Sequence, residues 1–286
     1  MFDTISPRLV AASWTSAGAV APLDADERSP IPIQDRVAAV AATGWAGMGV
    51  AQADVAHIRD TIGFPAFREL LDNAGLTHVE YEFLNDWWLE DPDGSAWRER
   101  WSLLLDAGEA TDAAFIKVGT RFDGPEDDLD YLVAPLRRLG TEAAARGQRV
   151  VLEPIAFSAV STIPRGADLV RATGLDNVGI CIDFWHVFRA GTTAEEVAAA
   201  LSPGIVFAVE MNDCDREHGD DLFQDTVDNR RLCGEGEFDV QSLVDAISAS
   251  GFTGPWGVEM LSTEYRQMPL RSALAAAHQT ATAFLH

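Results

Sequence analysis

Four acidic side chains follow apolar runs in the second half of the chain. They are Glu153, Asp183, Glu210 and Glu259, in the segments VVLEP, GICIDFWH, FAVEMND and WGVEM. Carboxylates are seldom buried unless they are paired or bound to a metal. Four of them at the ends of apolar runs therefore indicate a common functional site. Carboxylates that converge repel one another, and a divalent cation relieves that repulsion. Oxygen ligands favour Mn²⁺ or Mg²⁺, with Co²⁺ as a further candidate.

These endings belong to an alternation of strand-like runs and amphipathic helical stretches. Several runs are apolar throughout, which is typical of parallel strands buried on both faces. The eight runs that fit strands are Leu9–Ser13, Gly47–Ala51, His78–Phe83, Ala114–Val118, Val150–Pro154, Val178–Asp183, Ile205–Met211 and Trp256–Met260. Eight strand–helix units predict an α/β fold, a single (β/α)₈ TIM barrel over residues 1–286. A doubly wound open sheet is the alternative, but no Gly-x-Gly-x-x-Gly turn follows the first run.

A parallel barrel collects the C-terminal ends of its strands at one rim, where active sites lie. Lys117, the only lysine in the sequence, ends the fourth run and is expected to face the pocket or a neighbouring carboxylate. The stretch Cys214–Phe238 is too long for an ordinary loop, so we expect a functional rim or lid there. Aromatic residues also follow strand ends, and of these Trp14 is expected to contact substrate, with core or interface packing as the default for the others: Trp87, Trp88, Phe184 and Trp185.

The same motifs resemble those of the xylose isomerase-like TIM barrels, the sugar phosphate isomerase/epimerase and AP endonuclease 2-like superfamily, over essentially the whole chain. The matching pieces are LEP, ID-x-x-H, V-x-M-N-D, RRLCGEGEFD and GVE. The resemblance implies that Glu153, Asp183 and Glu259 bind a divalent metal. It also implies that His186 and Arg216 hold substrate oxygens.

Glu210 departs from the family pattern, because epimerases of this group usually have histidine at that position. Glutamate can still bind a metal through oxygen, so we predict Glu210 as the fourth ligand. The alternative is an acid outside the ligand set, near Asn212 and Asp213. In the RRLCGEGEFD segment, glycines permit tight turns, and Asp239 is placed to cap the following helix.

The predicted chemistry is proton abstraction next to a carbonyl. A metal that chelates the carbonyl and an adjacent hydroxyl stabilises the resulting enediolate. By resemblance, Glu153 and Glu259 form the acid/base pair of an isomerase or epimerase that acts on a keto-sugar or cyclitol. If His186 instead protonates a leaving hydroxyl, the outcome is that of a lyase, a dehydratase of keto-inositol or dehydroshikimate type. Substrate contacts are predicted for His186, Arg216, Lys117 and Trp14.

The charge of the chain excludes some partners. With 21 Lys+Arg against 45 Asp+Glu, the formal net charge is −24, the wrong sign for tracking a nucleic-acid backbone or an anionic membrane surface. A DNA-repair barrel of the endonuclease IV type would also need several zinc-binding histidines, and only His186 lies clearly at the predicted rim. A small carbohydrate-like substrate is therefore expected. A non-catalytic barrel that only binds such a molecule is an alternative.

The remaining patterns concern the cellular setting. Cys181, Cys214 and Cys233 are too few and too scattered for a disulfide framework, and they lack the spacing of a zinc site. The sequence shows no signal-peptide pattern and no run close to the ~18 apolar residues of a membrane span. We therefore expect a cytoplasmic protein, and the sequence leaves a homo-oligomer open.

Overall fold

The computed structural model describes residues 8–90 and 96–285, and in it eight parallel strands close into a barrel. The order around the barrel is β1-β10-β7-β6-β5-β4-β3-β2, and β8 and β9 form a separate two-stranded sheet. The strands are β1 (Leu9–Ala11), β2 (Gly47–Ala51), β3 (His78–Leu84), β4 (Phe115–Val118), β5 (Val150–Leu152), β6 (Val178–Asp183), β7 (Val206–Met211), β8 (Asp213–Cys214), β9 (Arg230–Arg231) and β10 (Trp256–Val258). The prediction of a (β/α)₈ barrel is confirmed.

Helices lie between the strands and pack their apolar faces on the barrel. They are α1 (Ser13–Ala17), α2 (Ile33–Ala42), α3 (Gln52–Thr61), α4 (Phe64–Ala74), α5 (Ala96–Thr111), α6 (Asp130–Ala144), α7 (Ile163–Thr173), α8 (Phe184–Arg189), α9 (Ala194–Ala200), α10 (Leu222–Asp228), α11 (Val240–Ala249), α12 (Thr263–Arg266) and α13 (Leu270–Thr282). Asp239 caps α11 by accepting the N–H of Ser242, as predicted. Among the described residues, none of these helices combines the length and the apolar character needed to cross a bilayer.

Two of the predicted strands, Gly47–Ala51 and Val178–Asp183, have the bounds that the sequence suggested; β3 is one residue longer than predicted, and the other five are shorter at one end. β5 and β10 stop before Glu153 and Glu259, because regular pairing gives out at the rim. One backbone hydrogen bond still fixes the residue that follows each of these two strands. The Glu153 N–H donates to Val118 O at 3.0 Å, and the Glu259 N–H donates to Met211 O at 3.2 Å. Both carboxylates are thus held by backbone just past a strand end.

The long stretch after β7 is an ordered rim segment, fastened by Asp213. The Asp213 carboxylate accepts backbone N–H groups from Cys214, Gly234, Gly236 and Phe238 at 2.8 to 3.1 Å. A Cβ at Gly236 would lie 2.4 Å from Asp213 Oδ1, so glycine is needed for this close approach. Asp213 also pairs with Arg231 across the β8–β9 ladder, which brings the neighbouring Arg230 back over the barrel.

We expect Asp213→Ala to lower the free energy of unfolding by about 2–4 kcal/mol, because four backbone N–H groups lose one fully buried acceptor. Urea denaturation measures this loss. Asp215→Ala is the matched control, since the Asp215 carboxylate is 44% exposed and pairs with Arg231 at the surface, where such pairs contribute at most about 1 kcal/mol. Equal losses in the two variants would contradict the fastening role of Asp213.

Candidate active site

The site is a polar layer of side chains placed directly above an apolar one. Phe115, Val151, Cys181 and Ala208, from four successive strands, form a buried apolar cluster. Residues two positions later share the same face, because side chains alternate along a strand. Those residues are Lys117, Glu153, Asp183 and Glu210. Equivalent positions on four successive strands therefore place one ammonium and three carboxylates at the rim.

The four predicted carboxylates meet there. Glu153, Asp183, Glu210 and Glu259 are 4%, 0%, 2% and 4% exposed. Each offers an oxygen, and these oxygens all lie within 4.8 Å of one another. A second group of the same kind joins Glu153, Asp183 and His186. The structure thus brings the sequence-predicted ligand set to one point.

Two buried cations compensate part of this negative charge. The Lys117 ammonium lies 2.5 Å from Glu210 Oε1 and 3.6 Å from a carboxylate oxygen of each of Glu153 and Glu259. The Arg230 guanidinium lies 2.6 Å from Asp183 Oδ2 and 3.1 Å from Glu259 Oε2. Both side chains are 2% exposed, so their charges act in a poorly screened environment.

Glu82 is a fifth carboxylate that the sequence analysis missed. It lies on β3, is 3% exposed, and its Oε2 lies 2.5 Å from the Lys117 ammonium. The signal was weak, because Glu82 lies two residues before the end of β3, whereas Glu153 and Asp183 directly follow apolar runs. The same strand also carries Glu80, so the acidic residue that faces the site was not distinguishable from its neighbour by type.

Burial and mutual repulsion raise the pKa values of several of these acids. Burial, together with the charges of Glu259 and Asp183, raises the pKa of Glu153 to about 8 despite the nearby ammonium. Burial also raises the pKa of Glu82 and of Glu210, with Glu259 adding to both shifts. The Glu153 carboxyl is therefore able to hold a proton near neutral pH in the metal-free protein.

Lys117 and His186, two of the basic side chains close to these acids, have pKa values that shift in opposite directions. Burial alone would lower the pKa of Lys117, but the surrounding carboxylates outweigh burial and raise that pKa well above its ordinary value. Burial and the Arg230 charge lower the pKa of His186 well below its ordinary value. The lysine is thus a fixed positive charge, whereas the His186 imidazole is neutral.

These shifts predict how the stability of the metal-free protein depends on pH. Folded-state pKa values above the unfolded value of 4.5 mean that the folded chain retains protons that the unfolded chain has lost. Above pH 6.5, where unfolded histidines have also lost theirs, stability is expected to fall as pH rises to about 8. Melting temperatures in chelator across this window measure the slope. Glu153→Gln should flatten it, and a melting temperature that rises with pH would contradict the assignment.

A cavity of about 330 Å³ opens above these groups. Lys117, Glu153, His186 and Trp14 line it, together with Arg230. Its outer wall carries linked aromatic rings, with centroids 6.4, 5.5 and 6.0 Å apart along the series Phe83, Phe122, Phe157 and Phe223. The cavity thus combines a charged floor with a partly apolar mouth, a shape that suits a small polar molecule with C–H faces.

Membership of a family follows from a match over most of the chain. A family model described as xylose isomerase-like TIM barrel matches residues 37–283. The chain is a xylose isomerase-like TIM barrel. The resemblance inferred from its motifs is confirmed, although that match defines the family and not the reaction.

Individual relatives of this xylose isomerase-like barrel are distant. It is 26% identical over 251 residues to the 3-dehydroshikimate dehydratase of Pseudomonas aeruginosa, which covers 84% of this chain but only 38% of that relative. It is 26% identical over 147 residues to an inosose isomerase of Halalkalibacterium halodurans, 51% of each protein. A solved structure described as the IOLI protein with a bound zinc atom has a TM-score of 0.78 and 16% identity, and covers 97% of this chain and 98% of its own.

The family resemblance implied substrate contacts for His186 and Arg216, and the structure places these two residues differently. His186 lines the cavity, with its Nε2 atom 3.6 Å from Glu153 Oε1. Arg216 is exposed on the rim segment, its backbone N–H donates to Glu237, and it does not line the cavity. Arg230, from the same segment, occupies the floor instead. A substrate contact by Arg216 stays a prediction.

Most of the other rim aromatics serve packing. Trp87 is fully buried and its Nε1–H donates to Gly119 O at 2.6 Å. Trp88 packs edge-on against Trp87, and Phe184 and Trp185 are also fully buried. Trp14 is the one of these five that faces the cavity.

Proposed function

We propose that this chain is a divalent-metal-dependent isomerase or epimerase that removes a proton next to the carbonyl of a keto-sugar or cyclitol. The observation that carries the proposal is the convergence of four buried carboxylates, two of which, Glu153 and Glu259, line a 330 Å³ cavity. Structural ion pairs need no such cavity, whereas acid–base chemistry on a small molecule does.

The residues present fit a divalent ion. Two ligand oxygens on one ion can be at most about twice the metal–oxygen distance apart, roughly 4–5 Å, and the four oxygens meet that limit. Glu153, Asp183, Glu210 and Glu259 would hold the ion. An all-oxygen set favours Mn²⁺ or Mg²⁺, with Co²⁺ as a further candidate, over the zinc named for one structural neighbour. When bound, the ion would polarise a carbonyl and stabilise the negative charge of an enediolate.

The side chains supply the proton chemistry. Glu153 lines the cavity, and its carboxylate is suited to take a proton from carbon and to return it. Glu259 reaches the site just past the end of β10, and one of its oxygens, like one of Glu153, lies 3.6 Å from the Lys117 ammonium. A carboxylate on each side of a bound substrate allows removal on one face and return on the other. Trp14 and the aromatic wall exclude water from the reacting carbon.

A dehydratase is the second candidate, favoured by a specific contact. His186 Nε2 lies 3.6 Å from Glu153 Oε1, so a group able to assist a leaving hydroxyl stands beside the proposed base. The relative that covers the larger part of this chain is named as a 3-dehydroshikimate dehydratase. The neutral state of His186 makes it a weak proton donor, and this is why we place the isomerase first.

The mass of the product distinguishes the two. Purified protein loaded with Mn²⁺ or Mg²⁺ is incubated with an inosose and with 3-dehydroshikimate, the compounds named for the relatives. A product of unchanged mass supports the isomerase or epimerase, and loss of one water supports the dehydratase. Binding of these compounds without any turnover would leave a binding protein and overturn both enzymatic proposals.

A further inference from the structure

We propose that Lys117, held by Glu82, is a positioning residue that sets how tightly the site binds its divalent cation. Glu82 and Lys117 together hold the lysine ammonium beside the Glu210 carboxylate, and this fixed positive charge opposes the binding of a cation. This inference rests on the metal centre proposed above and adds to it residues outside the four-carboxylate set.

Lys117 occupies the centre of the acidic cluster. Its ammonium lies 2.5 Å from Glu82 on the adjacent β3, 2.5 Å from Glu210 on β7, and 3.6 Å from Glu153 and Glu259. The side chain is 2% exposed, and it is the only lysine among 286 residues. An ammonium so placed repels a divalent cation that binds the same carboxylates.

Glu210 is the carboxylate through which the effect acts. Its Oε1 accepts from Lys117, and its Oε2 accepts from Cys181 Sγ at 3.4 Å. Both oxygens already have donors within the protein, so a metal must share Glu210 with the ammonium. The other three members of the four-carboxylate set lie 3.6 Å or more from Lys117 or are paired with Arg230.

Glu82 is expected to have the opposite effect to Lys117 on cation binding. It contacts Lys117 but is not among the four carboxylates whose oxygens lie close enough to share one ion. Its negative charge therefore offsets the ammonium without binding the metal itself. Removal of the lysine charge should strengthen cation binding, and removal of the Glu82 charge should weaken it. A purely structural role for the pair would damage the site in both variants.

The test is isothermal titration of Mn²⁺ into the chelator-treated protein at one pH. We expect Lys117→Met to bind Mn²⁺ about tenfold or more tightly than the unchanged protein. Glu82→Gln is expected to bind it about tenfold or more weakly. Arg36→Met is the matched control, because Arg36 is also a buried cation (1% exposed) paired with an acid, Asp54, but lines a different cavity. That variant should lose stability and keep its affinity for Mn²⁺.

The outcomes distinguish the inference about Lys117 and Glu82 from the proposed metal centre on which it rests. Opposite changes in the two site variants support the inference. Equal affinities in all variants, or weaker binding in both, overturn it while leaving the metal centre in place. If no variant and no unchanged protein binds Mn²⁺, the metal centre itself is overturned. If Lys117→Met fails to fold by circular dichroism, Glu82→Gln decides alone, and unchanged or tighter binding there overturns the proposal.

Discussion

Asp183→Asn is expected to abolish tight binding of Mn²⁺ or Mg²⁺ and to lower kcat/KM by about 10³-fold or more. Asp183 is fully buried and forms part of both metal-capable groups of the site. Its Oδ2 accepts from Arg230 and from Asn212 at 2.6 and 3.1 Å, and its Oδ1 caps α8 by accepting the N–H of His186. Asparagine keeps the shape and is an equally good cap, so the change removes mainly the charge.

Glu80→Gln provides the matched control. Glu80 is also a buried carboxylate on a barrel strand, 6% exposed and 2.9 Å from His78 Nε2, but it belongs to neither metal-capable group. Metal affinity and turnover are expected to change little in this variant. Elemental analysis and steady-state kinetics measure both. An Asp183→Asn protein that retains metal and activity would show that the metal is held elsewhere or is not needed.

Glu153→Gln is expected to reduce kcat by about 10²–10⁴-fold with some metal still bound. The amide oxygen can remain a weak ligand, but an amide cannot take a proton from carbon. The measurement is the rate of deuterium uptake by the substrate carbon in D₂O, compared with metal content in the same sample. Normal uptake with bound metal would remove Glu153 from the role of base.

His186→Gln is the companion variant that separates the two reaction outcomes. His186 contacts Glu153 but belongs to the smaller of the two metal-capable groups. For an isomerase or epimerase, turnover should fall only modestly. For a dehydratase, loss of water should stop while exchange of the carbon-bound proton continues.

The barrel was predictable because its signals are local. Apolar runs such as Val178–Asp183 have the length and composition of buried parallel strands, and the fold places their ends at one rim. The convergence of Glu153, Asp183, Glu210 and Glu259 followed from that rule alone.

The partners of these acids were not predictable, because they depend on distance through space. Lys117 was expected at the rim, but nothing in the sequence pairs it with Glu82 on the preceding strand of the barrel. Similarly, motif spacing selected Arg216, whereas the pairing of β8 with β9 folds the rim segment back and delivers Arg230 to Asp183.

The most direct test of the proposed chemistry is deuterium uptake from D₂O into an inosose or 3-dehydroshikimate, followed by mass spectrometry. Protein stripped of metal, as verified by elemental analysis, should show neither exchange nor turnover, and added Mn²⁺ or Mg²⁺ should restore them. Exchange at an undiminished rate in the stripped protein, or in its Asp183→Asn variant, would contradict metal-dependent proton abstraction at the four carboxylates.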